Sequence, residues 1–276
     1  MYTYINGISV MVWNADLSFP LSELEYFLLI LTRMSMFIFA APFFGQRNVP
    51  QMLRAAFAVL VSFVLYEAIT PHQYVQYETM LEYTMLVLKE AIVGLLIGLG
   101  AAWAMQISAF AGQIVDTDIG FAMVAQMDPA TQMNTTVTGY LYQYAFMLIF
   151  MVSGMHRWLL RAMAESFTLI PLGHAEFALE KLNTAFLSFI SEYVMLGFRI
   201  SLPIFCVTLM LNCLLGIMAK VSPQMNMFAV GMQIKVLTGL IILFLTVRLI
   251  PRAADLIFAE MQVAVTRFAN ILGGVV

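Results

Sequence analysis

Charge is scarce in this sequence: Asp, Glu, Lys and Arg together make up 11% of the 276 residues, against about a quarter in an average soluble domain. A soluble globular protein is thereby excluded. Basic residues are scattered and the formal net charge is -3, so no polybasic stripe marks a nucleic-acid or anionic-surface partner. Cysteine is nearly absent as well. Cys206 and Cys213 lie seven apart in one apolar segment, too far along a helix to bond to each other, and read as small hydrophobes. His72, His156 and His174 are isolated, without the spacing of a metal site. No Ser-His-Asp set, nucleophile elbow or phosphate-cradling loop can be placed, so neither enzyme chemistry, a metal nor a cofactor is expected. Met1 to Pro20 lacks a basic n-region and an apolar h-region, so no cleavable signal peptide is expected.

Apolar residues are abundant instead, at 62% of the chain. The stretches Ala91 to Ala111, Val137 to Met155 and Ile200 to Ala219 carry no charge, and each is close to the ~20 residues that cross a hydrocarbon core. An integral membrane protein follows. The apolar pattern predicts an all-α fold of about six elements: Tyr26 to Ala41, Met52 to Ile69, Ala91 to Ala111, Gly139 to Met155, Phe186 to Ala219 and Met225 to Ile250. Pro42, Gly45 and Pro50, Pro71, Asp128-Pro129, Pro171-Leu172-Gly173 and Ser222-Pro223 punctuate them, and Pro203 predicts a kink inside the fifth. Counting Lys and Arg under strict alternation favours both ends on the cytoplasmic side, but only if every element spans, so orientation stays open.

Several elements carry interior charge: Arg33, Glu67, Glu192, Arg199 and Lys235. A charge facing lipid costs at least ~2.5 to 3.5 kcal/mol on insertion scales, so these side chains call for protein or a watery cavity around them. Gly94 and Gly98 form a GxxxG, continued by Gly100 and Ala104, whose missing side chains suit close helix packing without naming the partner. His156-Arg157-Trp158 reads as an interfacial anchor. Asp116, Asp118 and Asp128 read either as solvated loop acids or as an ion relay beside Lys235, the latter being the pattern of a secondary transporter. Methionines number 22 and gather at breaks, Met123, Met127 and Met133 at one and Met225, Met227 and Met232 at another. Such soft side chains fill ordinary cores and also suit a surface that must seal and then yield.

Taken in order, the pieces resemble the flagellar export-gate family FliR and its counterparts in virulence type III secretion. Arg33 with Pro42, Val49-Pro50 and Arg54 comes first, then Lys89-Glu90-Ala91-Ile92-Val93-Gly94 running on to Gly98. Ala111-Gly112-Gln113-Ile114-Val115-Asp116 leads to Gly120-Phe121-Ala122 and Asp128-Pro129, and Ser166-Phe167 with Ile170-Pro171-Leu172-Gly173 fits the central connection. Ser222-Pro223-Gln224-Met225-Asn226-Met227-Phe228-Ala229-Val230-Gly231, then Lys235 and Gly239, is the most specific piece. Asp118 departs from the neutral Gln of many relatives.

The resemblance implies a core, non-enzymatic membrane subunit of the flagellar protein-export gate, in the bacterial inner membrane at the basal body. One copy would join FliP and FliQ homologues in a helical closed-pore assembly, with FlhB and FlhA alongside, passing unfolded substrates. Residues 1 to 183 would form a FliP-like part and 184 to 276 a FliQ-like hairpin with an amphipathic tail. The stretch from Phe110 to Asn134 would be a movable plug, with Phe110, Phe121, Met123 and Met127 sealing and Gly112 and Gly120 supplying bends. Arg33, Glu192, Arg199 and Lys235 would be buried charges paired within the assembly. The alternatives are a virulence-type gate subunit and an ion-coupled transporter.

Overall fold

The computed structural model describes residues 2–5, 8–11, 21–46, 49–69, 77–121, 137–222, 224 and 226–275. Strands β1 (Tyr2–Ile5) and β2 (Ile8–Met11) pair antiparallel, and the regular elements described after them are all helical. The helices are α1 (Leu21–Ala40), α2 (Gln51–Ala68), α3 (Met80–Ile119), α4 (Val137–Val152), α5 (Met155–Leu169), α6 (Leu179–Val221), α7 (Met227–Thr246) and α8 (Ile250–Leu272). A single turn of 3-10 helix, Val247–Leu249, joins the last two.

The six apolar elements expected from sequence correspond to α1, α2, α3, α4, α6 and α7, and the membrane-protein fold is all-α in its body. Helix α5 is an addition, and α8 falls where the resemblance implies an amphipathic tail. Both are amphipathic rather than apolar throughout, and both bury a stripe at helical spacing: Leu159, Met163, Ser166 and Phe167 in α5, and Ala254, Ile257, Phe258, Met261, Val265 and Phe268 in α8. At Ser153 and Gly154 the chain bends by 69° between α4 and α5, with Gly154 at φ +76°, a left-handed conformation that glycine adopts without strain. Pro203 lies inside α6, which is helical on both sides of it, and Asn183 also lies within that helix.

Helix α3 is the axis. Its start is capped by Thr79, whose hydroxyl accepts from the Glu82 N–H at 3.3 Å, while Glu82 reaches back to the N–H of Glu78 at 2.7 Å. At 40 residues and about 1.5 Å of rise each, it is twice as long as a bilayer core is thick. Helices α1, α4, α6 and α8 all pack against it. Small residues permit this crowding: Gly94, Gly98, Gly100, Ala101, Ala104, Ala111 and Gly112 are buried along its length.

Among the described residues, four helical stretches are long and apolar enough to cross a membrane: α2, α3, α6, and α7 with its continuation into α8. The bent α4 and α5 pair makes a fifth if it is one broken span. Helix α1, with Glu23, Glu25 and Arg33, is not among them.

Candidate functional site

Three joints along α3 gather most of the residues singled out from sequence. The first is where α1 crosses it. Arg33 is fully buried, and its Nε donates to Glu90 Oε2 at 2.5 Å, with Glu90 equally buried. Nη1 of Arg33 donates to the carbonyls of Ser166 and Ile170 at 3.3 and 3.0 Å, and the guanidinium lies 4.4 Å from the centre of the Phe167 ring. The other Glu90 oxygen accepts the Gly173 N–H at 2.8 Å, where Gly173 sits at φ +79°. One ion pair thus ties α1, α3, the end of α5 and the Pro171-Leu172-Gly173 turn together. Buried charges are tolerated when paired and hydrogen-bonded in this way.

One turn beyond Glu90, the α1 backbone lies directly on α3. A Cβ on Gly94 would come 2.1 Å from the Arg33 carbonyl oxygen, and one on Gly98 would meet the Ala40 Cβ at 2.8 Å and the Phe37 carbonyl oxygen at 2.9 Å. The neighbour of the GxxxG face is therefore α1 of the same chain.

The second joint is between α3 and the first turn of α4. Gly112 and Gly139 face each other so closely that a Cβ on Gly112 would lie 2.4 Å from the Gly139 Cα. Beside them the buried Asp116 accepts from the Thr138 N–H at 2.8 Å through Oδ2 and from the Thr138 hydroxyl through Oδ1. The carboxylate satisfies a free N–H at the start of α4, where the helix dipole also favours negative charge. Asp116 is a structural cap rather than a solvated loop acid.

The third joint is the end of α3. Phe110 stacks on Tyr193 of α6 with ring centres 5.2 Å apart, meets Phe198 edge-on at 6.2 Å, and fills the space left by Gly197. Ile119 fills the corresponding space at Gly239 of α7. Asp118 has one buried carboxylate oxygen with no hydrogen-bond partner among the described residues, and Lys235 of α7 acts on it electrostatically. Gly120 then ends the helix at φ +99°, its N–H bonded to the Asp116 carbonyl at 3.0 Å. Phe121, half-buried, packs against the core. Met123, Met127, Asp128 and Met133 lie outside the described residues.

One sequence expectation is corrected here. The segment beginning at Phe110 is not a loop until Gly120, because Gly112 is a packing glycine against Gly139 and supplies no bend. Of the four charges expected to be paired within an assembly, Arg33 is buried within the chain, while Glu192 and Lys235 are half-buried and Arg199 is exposed in the chain by itself. Glu90, Thr138 and Gly139 were not singled out as site residues. The signal for Glu90 was available: it lies four residues before Gly94, on the same face of α3, and an interior arginine needs a carboxylate.

The family described as "Bacterial export proteins, family 1" matches residues 24–261. The chain belongs to this family. Among its relatives, the flagellar biosynthetic protein FliR of Bacillus subtilis is 30% identical over 227 residues, covering 81% of this chain and 86% of the relative. That of Aquifex aeolicus is 31% identical over 221 residues, covering 79% and 83%. The surface presentation of antigens protein SpaR of Shigella flexneri is 29% identical over 161 residues, covering 58% and 61%. As a family 1 bacterial export protein, the chain is a membrane protein of protein export and not an enzyme. The matched range contains all three joints along α3.

Proposed function

We propose that the chain is a core subunit of the flagellar type III export gate in the bacterial inner membrane, at the basal body. One copy joins FliP and FliQ homologues around a closed channel for unfolded flagellar proteins, with FlhB and FlhA alongside. The observation that carries this reading is the uncovered apolar surface of α6 and α7 in a chain of the export family. Met210 is 68%, Leu237 62% and Phe244 78% exposed, on helices that also bear Arg199 and Lys235. Apolar surface studded with charge suits protein neighbours better than lipid alone. Coverage favours the flagellar assignment: the two FliR relatives align over about 80% of this chain, SpaR over 58%.

In this reading the segment following Gly120 is the plug, with Phe121, Met123 and Met127 as a soft seal and Gly120 as its hinge. The hinge follows an anchored post: Phe110, Gly112, Asp116 and Ile119 fix the end of α3 to α6, α4 and α7. Apolar contacts release at modest cost, which suits a gate that must reseal. Affinity isolation of the tagged chain in mild detergent tests the assignment. FliP-like and FliQ-like subunits are expected to accompany it, and their absence from an intact preparation overturns it. Deleting residues 120 to 126 is expected to leave the assembly intact and raise its conductance in planar bilayers; an assembled deletion complex as tight as the parent moves the seal elsewhere.

A further inference from the structure

We propose that Arg199 and Arg252 form a docking site for an aspartate or glutamate side chain of a neighbouring protein subunit, at the groove between α4, α6 and the turn joining α7 to α8. This site rests on the gate reading above, in which other subunits cover α6 and α7. The groove has a volume of about 170 Å³ and is lined by Tyr142, Phe146, Pro203 and Leu256 together with the two arginines. The arginines come from different helices, and only folding brings them to one groove. Both are exposed, and among the described residues neither has an ion pair or a hydrogen-bond partner.

Charge identifies the occupant. Between Glu192 and Lys220, Arg199 is the sole charged residue of α6. Met195, Leu202 and Cys206, at helical spacing from it, are exposed as well, so Arg199 stands in an uncovered apolar face. Covering that face with apolar side chains alone would bury an unpaired guanidinium, which is costly unless an anion is buried with it. The chain supplies no such anion among its described residues. Glu192, two turns before Arg199, acts on Glu260 of α8 together with Arg267, and Asp255, on the turn after Arg252, is exposed and bridges to neither arginine. The missing charge must arrive with the covering surface, and the anion that a polypeptide offers is a carboxylate. A guanidinium fork takes a carboxylate in two-point fashion, and apolar walls that exclude water strengthen the pair.

The test uses the full tagged chain, isolated in mild detergent with the subunits that accompany it. A photoreactive phenylalanine analogue at Leu256, on the groove wall, is expected to cross-link to an accompanying subunit within one helical turn of an aspartate or glutamate, read by mass spectrometry of the joined peptides. Arg199→Glu with Arg252→Glu should lower recovery of that subunit on the order of thirtyfold, the lower end of what breaking a buried ion pair across an interface costs. Exchanging the cross-linked acid for arginine should restore recovery with the doubly substituted chain. Arg161→Glu, at an exposed arginine of α5, should leave recovery unchanged. Should the doubly substituted chain fail to fold, the cross-link from Leu256 in the otherwise unaltered chain decides. A cross-link to a stretch without an acid, to this chain itself or to lipid, unchanged recovery after the double substitution, or an equal loss with Arg161→Glu would each overturn the proposal. Subunits that accompany the chain without cross-linking at Leu256 would overturn this site alone, whereas their absence from the intact preparation would overturn the gate reading and the site with it.

Discussion

The trunk around α3 and the hairpin of α6 and α7 have similar apolar composition and opposite polar chemistry. In the trunk, the fully buried charges find partners inside the chain: Arg33 with Glu90, though its Nη2 has no hydrogen-bond partner among the described residues, and Asp116 with Thr138 at the start of α4. In the hairpin, Arg199 is exposed and unpaired among the described residues, and large apolar side chains such as Met210 and Phe244 are left uncovered. A hydropathy profile cannot distinguish the two, because it counts residues and not partners. The trunk largely satisfies its charges within the chain, and the hairpin leaves charge and apolar surface uncovered.

If this contrast is correct, the most damaging substitution removes one half of the trunk ion pair. Glu90→Ala strands the Arg33 guanidinium at full burial, and breaking a buried pair from one side costs about 3 to 5 kcal/mol. Thermal unfolding of the purified chain or complex in detergent should show a large loss of stability. Removing both charges, with Arg33→Met and Glu90→Leu, should recover much of it, since apolar replacements of similar volume are often tolerated. A double variant no better than the single would show that the arginine's contacts with the Ser166 and Ile170 carbonyls matter more than its charge partner.

Next in size is the close approach of α1 to α3. In Gly94→Ala the new methyl collides with the Arg33 backbone carbonyl, which cannot rotate away, so the helices must separate; overpacking of this kind costs about 1 to 3 kcal/mol or more. Gly94→Leu with Gly98→Leu should prevent folding of the trunk, read as loss of monodisperse protein on size exclusion. An unaffected elution profile for the double leucine variant would contradict the packing. At the α3 and α4 joint a smaller loss is expected: Asp116→Ala leaves the Thr138 N–H without its acceptor, at about 1 to 3 kcal/mol. Asp116→Asn, which keeps one acceptor, should restore part of the melting temperature, and equal losses in the two variants would argue against the cap.

What the sequence revealed follows from which signals are local. Apolar runs are local, so α1, α2, α3, α4, α6 and α7 were legible. Amphipathic α5 was not, and α8 was expected only as the amphipathic tail the resemblance implied, because His156, Arg157, Arg161 and Glu165 in one and Arg252, Asp255, Glu260 and Arg267 in the other break the run while a buried stripe persists beneath. Glycine is ambiguous in isolation. Gly112 and Gly120 look alike in the sequence, yet one is pressed against Gly139 within a helix and the other ends that helix at positive φ. The pairing of Arg33 with Glu90 bridges 57 positions, with all of α2 between them, and only the fold brings it about.

The smallest effect on the chain itself belongs to the hairpin, and it sharpens the contrast most. Met210 and Phe244 touch little within the chain, so Met210→Ser and Phe244→Ser should change its melting temperature scarcely at all; exposed substitutions usually fall within about 0.5 kcal/mol. If the exposed face is covered by other subunits, the same changes should reduce the amount of accompanying protein recovered with the tagged chain, because lost apolar contact weakens an interface without altering the trunk. The decisive measurement is the two readouts side by side. An unchanged melting temperature with reduced recovery places these residues in an interface. Unchanged recovery with both serines present would mean that lipid covers this face, and a large fall in melting temperature would mean that the hairpin is part of the core after all.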